Sequence, residues 1–216
     1  MTRTRWTGLA GVLFGIVFFG IIRFAGSTPD TSDPNAIQKY ADYWKVSSHH
    51  SHAVWAAFLA TYAFLLLLLF AAGLRDRLRA ADAGPLPSIV FGAGAVSSAL
   101  LLVGSEIGLS PGVTAEQVAH YDVDGKTAIL LDGIGYAVLA PALMAAAFMA
   151  VLVGILTLRT RVLPAWTAWL GFLLGLTAIG SFFSAWAGFI GLPVWALVIG
   201  IVLLVRNDPD AATPAA

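Results

Sequence analysis

Apolar residues in this chain run in long blocks separated by short polar stretches. A helix that crosses about 30 Å of hydrocarbon at ~1.5 Å per residue needs about 20 such residues. Trp6–Ala25, Ala53–Leu74, Ile89–Leu109 and Ile134–Leu158 each meet that length. Between Arg161 and Arg206 no charged residue occurs, and the 44 residues from Val162 to Val205 would make roughly 66 Å of helix. One crossing cannot hold that length. The stretch divides into spans near 164–184 and 189–205, with the turn near Ser184–Pro193, where Ser, Gly and Pro accumulate. The pattern predicts an all-α integral membrane protein, a six-helix bundle in one domain over residues 1–206. The polar, Pro- and Ala-rich segment 207–216 is expected to be a disordered tail.

Composition agrees with that reading. Hydrophobic types make up 59% and charged types 11% of the 216 residues, whereas a soluble domain carries about a quarter charged residues. A net charge of zero argues against a nucleic-acid partner. The absence of cysteine removes disulfides, thiolate chemistry, zinc–cysteine sites and iron–sulfur clusters. Six crossings put Arg3, Arg5, Arg75, Arg77, Arg79, Arg159, Arg161 and Arg206 on one side, against Lys39, Lys45 and Lys126 on the other. The arginine side is therefore expected to be cytoplasmic, with both termini inside a plasma membrane. The first span has a basic start, but its apolar run of about 17 residues before Arg23 exceeds a signal peptide's core, so it reads as a retained helix.

Two outer segments are long enough to have structure. Asp33-Pro34 reads as an N-cap followed by proline at the first helical position. Ile37, Tyr40, Ala41 and Trp44 then repeat at helical spacing, giving a short amphipathic helix on the outer leaflet. Thr114-x-x-Gln117 has the form of a capping box opening a brief helix that ends near Asp122. Asp122-Val123-Asp124-Gly125 lacks the further ligands of a calcium loop and reads as a turn.

Ionisable groups inside spans are the first place to look for function. Counting from the arginine side, Arg23 and Glu106 both fall about 26 Å along their helices, and His52 and Asp132 reach a similar level near the outer boundary. Tyr136 lies one turn deeper than Asp132 on the same face. In the functional reading, Arg23 pairs with Glu106 or Asp132, while His49 and His52 offer imidazoles to a divalent metal or ligand. In the plainer reading, these side chains reach the interface where spans end, and the His-His-Ser-His run is a solvated cap. Near the midplane Thr61, Tyr62, Ser97 and Ser98 are uncharged, so no proton relay is visible. All four histidines lie on the outer side, which excludes paired haem ligation within the bundle.

The Gly11/Gly15, Gly104/Gly108 and Gly171/Gly175 pairs are spaced for close helix approach, and Pro141 is positioned to kink its span. No internal repeat is evident. The stretch Arg161-Val162-Leu163-Pro164-Ala165-Trp166, followed by Trp169-Leu170-Gly171, resembles the opening of a late span in uncharacterised multi-pass membrane proteins of high-GC Gram-positive bacteria. That resemblance implies a small multi-pass bundle and brings no catalytic residue. The expected function is a non-catalytic binding or accessory component with an outward-facing site for a lipid, small molecule or membrane-protein partner, needing no cofactor. Two alternatives stand beside it: a metal-dependent membrane enzyme built on the outer histidines and carboxylates, and a facilitator for an uncharged solute passing Thr61 and Ser98.

Overall fold

A computed structural model describes residues 3–82, 84–180 and 185–206. The expected tail from Asn207 to Ala216 lies outside the described residues. The chain folds as seven helices among the described residues: α1 (Arg3–Ala25), α2 (Ala36–Trp44), α3 (Ser47–Ala81), α4 (Leu86–Gln117), α5 (Gly125–Thr160), α6 (Ala165–Gly180) and α7 (Ala185–Val205). Of these, α1, α3, α4, α5 and α7 are long and apolar enough to cross a membrane, and α6 is a shorter apolar helix. The described residues form an all-helical bundle.

Neighbouring helices run antiparallel, and glycine sets how closely they approach. A Cβ at Gly200 would lie 2.6 Å from the Gly8 carbonyl oxygen, and one at Gly15 would lie 2.9 Å from the Pro193 oxygen, so α1 and α7 meet backbone to backbone. Gly104 and Gly135 do the same for α4 and α5, and Gly171 rests against the Ala150 carbonyl between α6 and α5. Lipid offers no hydrophobic force to join helices, so close packing of this kind does the joining. The Ser98 hydroxyl donates to the Phe64 carbonyl and ties α4 to α3. Phe14, Leu67, Phe70, Met149, Leu192 and Ile199 fill the interior, with the Phe70 ring edge-on to Trp195 at 5.8 Å.

One end of the bundle collects the arginines. Arg79 and Arg159 lie in the last turns of α3 and α5, where a cation complements the exposed carbonyls. Arg159 stands 3.8 Å from Asp82 in the α3–α4 connection. Arg206, after α7, donates to the Val162 carbonyl at 2.7 Å, which brings the end of α7 beside the segment that precedes α6. The expected turn near Ser184–Pro193 is corrected here. Ala185–Pro193 is helical, with Pro193 inside α7, while Ser184 lies outside the described residues.

The opposite end carries α2. Proline does not open it: Asn35 is the N-cap residue, and the Asp33 carboxylate instead accepts from the Asn35 N–H at 2.8 Å in the preceding turn. Nor does α2 turn its aromatic face to lipid. Ala36, Tyr40 and Trp44 are buried against the bundle with Ala53 and Ala128, and Ile37 is left exposed. The predicted helix opening at Thr114 is absent as well, because α4 continues through Pro111 to Gln117. The missing N–H of Pro111 frees the Ile107 carbonyl, which the Ser110 hydroxyl satisfies at 2.7 Å. Asp124 caps α5 by accepting from the Thr127 N–H at 2.9 Å.

Candidate ligand cavity

Beneath α2 the interior is hollow. A cavity of about 530 Å³ opens between the last turns of α1, the following segment 26–31, α2, α4, α5 and the start of α7, a size suited to a small molecule or part of a lipid. Its apolar lining comes from Phe18, Ile21 and Ile22 of α1, Leu109 of α4, Leu139 of α5 and Phe189 of α7, with Leu109 nearest α2 and Leu139 deeper along α5. Its upper rim is polar and aromatic, with Thr28, Asp30, Tyr40, Trp44, Ser105, Asp132 and Tyr136. Glycine makes the space. Gly108 and Gly133 both line it, and a Cβ at either would meet nothing within 4 Å.

Asp132 is the central polar group. The Tyr40 hydroxyl donates to its Oδ2 at 2.9 Å across 92 residues of sequence, and this bond fixes α2 over the cavity. Its other carboxylate oxygen has no hydrogen-bond partner among the described residues. Burial, reinforced by the Asp132 carboxylate, pushes the Tyr40 phenol up to about 12, against an opposing hydrogen bond from Thr28. Burial also raises the Tyr43 phenol. A raised phenol favours the neutral folded form, so Tyr40 supports the fold fully below pH 10 and progressively less as pH climbs toward 12. In ultraviolet titration of the native protein, part of the tyrosine ionisation therefore reaches its midpoint only near pH 12. Tyr40→Phe removes that late component, and a wild-type titration finished by about pH 11 would contradict the burial of Tyr40 beside Asp132.

The site residues read from the sequence separate in space. Asp132 and Tyr136 line the cavity; Arg23 and Glu106 do not. Among the described residues no ion pair joins Arg23 to Glu106 or Asp132. Arg23 is exposed on the flank of α1 that also carries Ile16 and Phe19, while Phe18, Ile21 and Ile22 face the cavity. Glu106 is half-buried on the side of α4 shared with the exposed Ala99 and Val103, away from Gly104, Ser105 and Gly108.

The histidines serve the α2–α3 corner. A ring N–H of His49 donates from Nδ1 to the Tyr43 carbonyl at 2.7 Å, and the ring stacks on Tyr43 at 3.9 Å. His50 reaches the Trp44 carbonyl through Nε2. His50 thus occupies a carbonyl that the end of α2 leaves open, while His49 joins the Val46 N–H on the Tyr43 carbonyl. His52 stands edge-on to Phe24 at 5.9 Å, turned to a different neighbour from His49. Among the described residues no group of three or more His, Asp or Glu is arranged to hold a metal ion. Thr61 is exposed and bonds back to the Ala57 carbonyl of its own helix, so it shares no path with the buried Ser98.

The sequence pattern does not single out Tyr40, Trp44, Ser105 or the lining glycines as site residues. The signal available for the first two is their i, i+4 spacing on a face whose other neighbours are small. Neither family models, curated proteins nor solved structures match the chain, so the reading of the site rests on its own geometry.

Proposed function

We propose that this chain is a six-span plasma-membrane protein with both termini in the cytoplasm. It acts without catalysis, as a binding or accessory component that holds an amphipathic small molecule or lipid in the cavity beneath α2. The cavity itself carries this reading: an apolar well is capped by a polar rim at the end of the bundle away from Arg79, Arg159 and Arg206. Such a division matches a molecule with an alkyl part and a polar head. The gathering of arginines at the opposite end supports a cytoplasmic assignment for that end. The Arg206–Val162 contact supports two crossings in the last 44-residue apolar stretch.

Orientation is directly testable because the chain has no cysteine. Single cysteines at Ser32 and at Asp122 are expected to react with an impermeant maleimide on intact cells. A cysteine at Ala80 reacts only after permeabilisation, and the reverse pattern would refute the assignment. Occupancy is tested through Trp44, which lines the cavity. A brominated single-chain alcohol should quench part of the tryptophan emission saturably, above the linear quenching of lipid-facing indoles. Gly108→Leu adds an apolar side chain at a lining position where a Cβ meets nothing within 4 Å, and it should remove the saturable part. A purely linear response in the wild type would defeat the reading.

A further inference from the structure

The rim of the cavity is acidic, and no basic side chain lines it among the described residues. Asp132 and Asp30 are its acidic residues. The nearby cations are engaged elsewhere. Lys39 pairs with Asp33 at 2.5 Å, Lys45 pairs with Asp42 at 2.7 Å, and Arg23 faces outward on α1. Within Asp132 itself one oxygen accepts from Tyr40, and the other has no partner among the described residues. A carboxylate can accept about four hydrogen bonds, and a half-buried one gains most from a charged donor. Asp30 adds a second negative charge, held in place by the Ser32 N–H and hydroxyl, each at 2.8 Å. Trp44, Tyr40 and Tyr136 share the rim, and aromatic rings are the companions that ammonium groups favour.

We infer that the ligand is a single-chain amphipath with a protonated amine head. Its ammonium bonds the free oxygen of Asp132, and its alkyl chain runs down toward Phe18, Leu139 and Phe189. From Asp132 to Leu139 is seven residues of α5, about 10 Å of depth. An anionic head would meet two carboxylates with no basic residue to receive it. A phosphate next to the ammonium suffers the same opposition, though a lipid ammonium and a free alkylamine present the same donor chemistry to Asp132. This inference rests on the proposed binding role and adds the charge of the head group.

The full-length chain in nanodiscs of phosphatidylglycerol, which holds no amine, allows a direct comparison of two probes of equal chain length: a brominated primary alkylamine and the matching alcohol. The amine is expected to quench saturably at a concentration at least tenfold lower than the alcohol. Asp132→Asn should abolish that preference, since its side-chain oxygen still accepts from Tyr40 while the charge is gone. Gly108→Leu should remove saturable quenching by both probes. If including phosphatidylethanolamine in the discs leaves amine quenching unchanged, the assignment to a single-chain amine stands; if it suppresses amine quenching, the site accepts a phosphate-bearing lipid ammonium and that assignment is overturned. Equal saturable binding of amine and alcohol, or an amine preference that survives Asp132→Asn, overturns the head-group inference and leaves the binding role standing. Absence of saturable quenching by both probes in the wild type removes both.

Discussion

Alanine in place of Gly125 is expected to lift α2 off the bundle while leaving the helices beneath it folded. A Cβ at this position would overlap the Ile37 carbonyl oxygen and lie 3.0 Å from the Ile37 carbonyl carbon and 3.3 Å from the Ala41 nitrogen. All three are backbone atoms of α2, so no side chain can rotate to make room. Overpacking a well-fitted contact costs about 1–3 kcal/mol, and a collision with main chain belongs at the upper end. Against it stand the burial of Tyr40 and Trp44, about 1.5–3 kcal/mol for each large apolar side chain, and the Tyr40–Asp132 bond. The upper end of that cost approaches the lower end of what holds α2, so α2 gives way before α5, which is held along its length by α4 and α6. A nine-residue helix does not persist once undocked, because isolated helices of that length are marginal in water. Hydrogen exchange over residues 36–44 should accelerate at least tenfold, and the late tyrosine titration should vanish. The thermal midpoint of the bundle should hardly move. Gly92→Ala is the matching control, since a Cβ there meets nothing within 4 Å. Slow exchange of 36–44 in the Gly125 variant would show that α2 sits on α5 with room to spare.

That dependence of the site on one glycine explains which parts of the protein are legible in the sequence. The long apolar runs specify helices, because hydrocarbon tolerates no unsatisfied backbone, and those helices are present. Depth is legible too: counting residues brings Arg23, Glu106 and Asp132 to a similar level. Counting does not give the azimuth, because the rotation of each helix about its own axis is fixed only by packing. Arg23 shares a flank with Ile16 and Phe19, so it turns outward at the depth where Ile22, one residue earlier, turns in. Local signals mislead where a tertiary or neighbouring group overrides them. Thr114-x-x-Gln117 has the form of a helix start, yet Ser110 repairs the gap that Pro111 leaves in α4 and the helix runs on. Tyr40 and Trp44 read as interfacial aromatics, and they are interfacial toward α4 and α5 rather than toward lipid. Gly112 beneath the Trp44 ring and Gly125 beneath Ile37 create the seat they occupy. A lone glycine in a sequence gives no notice of which helix will lie against it.

The α1–α7 contact is where a single side chain should do the most damage to the bundle itself. Gly200→Leu places a Cβ 2.6 Å from the Gly8 carbonyl oxygen and 2.7 Å from the Val12 nitrogen, with the rest of the leucine still to be housed. The two helices must part along the whole seam, where Gly11 meets the Ala196 carbonyl and Gly15 meets that of Pro193. Within a membrane no water resists that separation, so the helices have only their close packing to hold them and nothing replaces it. A destabilisation of about 3 kcal/mol is a large part of a total stability of roughly 5–15 kcal/mol. Purified variant protein should show a much reduced monodisperse fraction and a thermal midpoint lower by several degrees. Ile201→Leu, one residue on and exposed, should match the wild type. The seam also carries Phe18 of α1 and Phe189 of α7, whose rings stand 6.1 Å apart in the cavity wall. Saturable amphipath binding should therefore fall in Gly200→Leu even in the fraction that remains folded. Gly8→Ala has a single methyl to house, and it should give up part of the stability and keep the cavity. If Gly200→Leu is as stable as the wild type and binds as well, α7 does not close against α1, and the cavity lacks one of its walls.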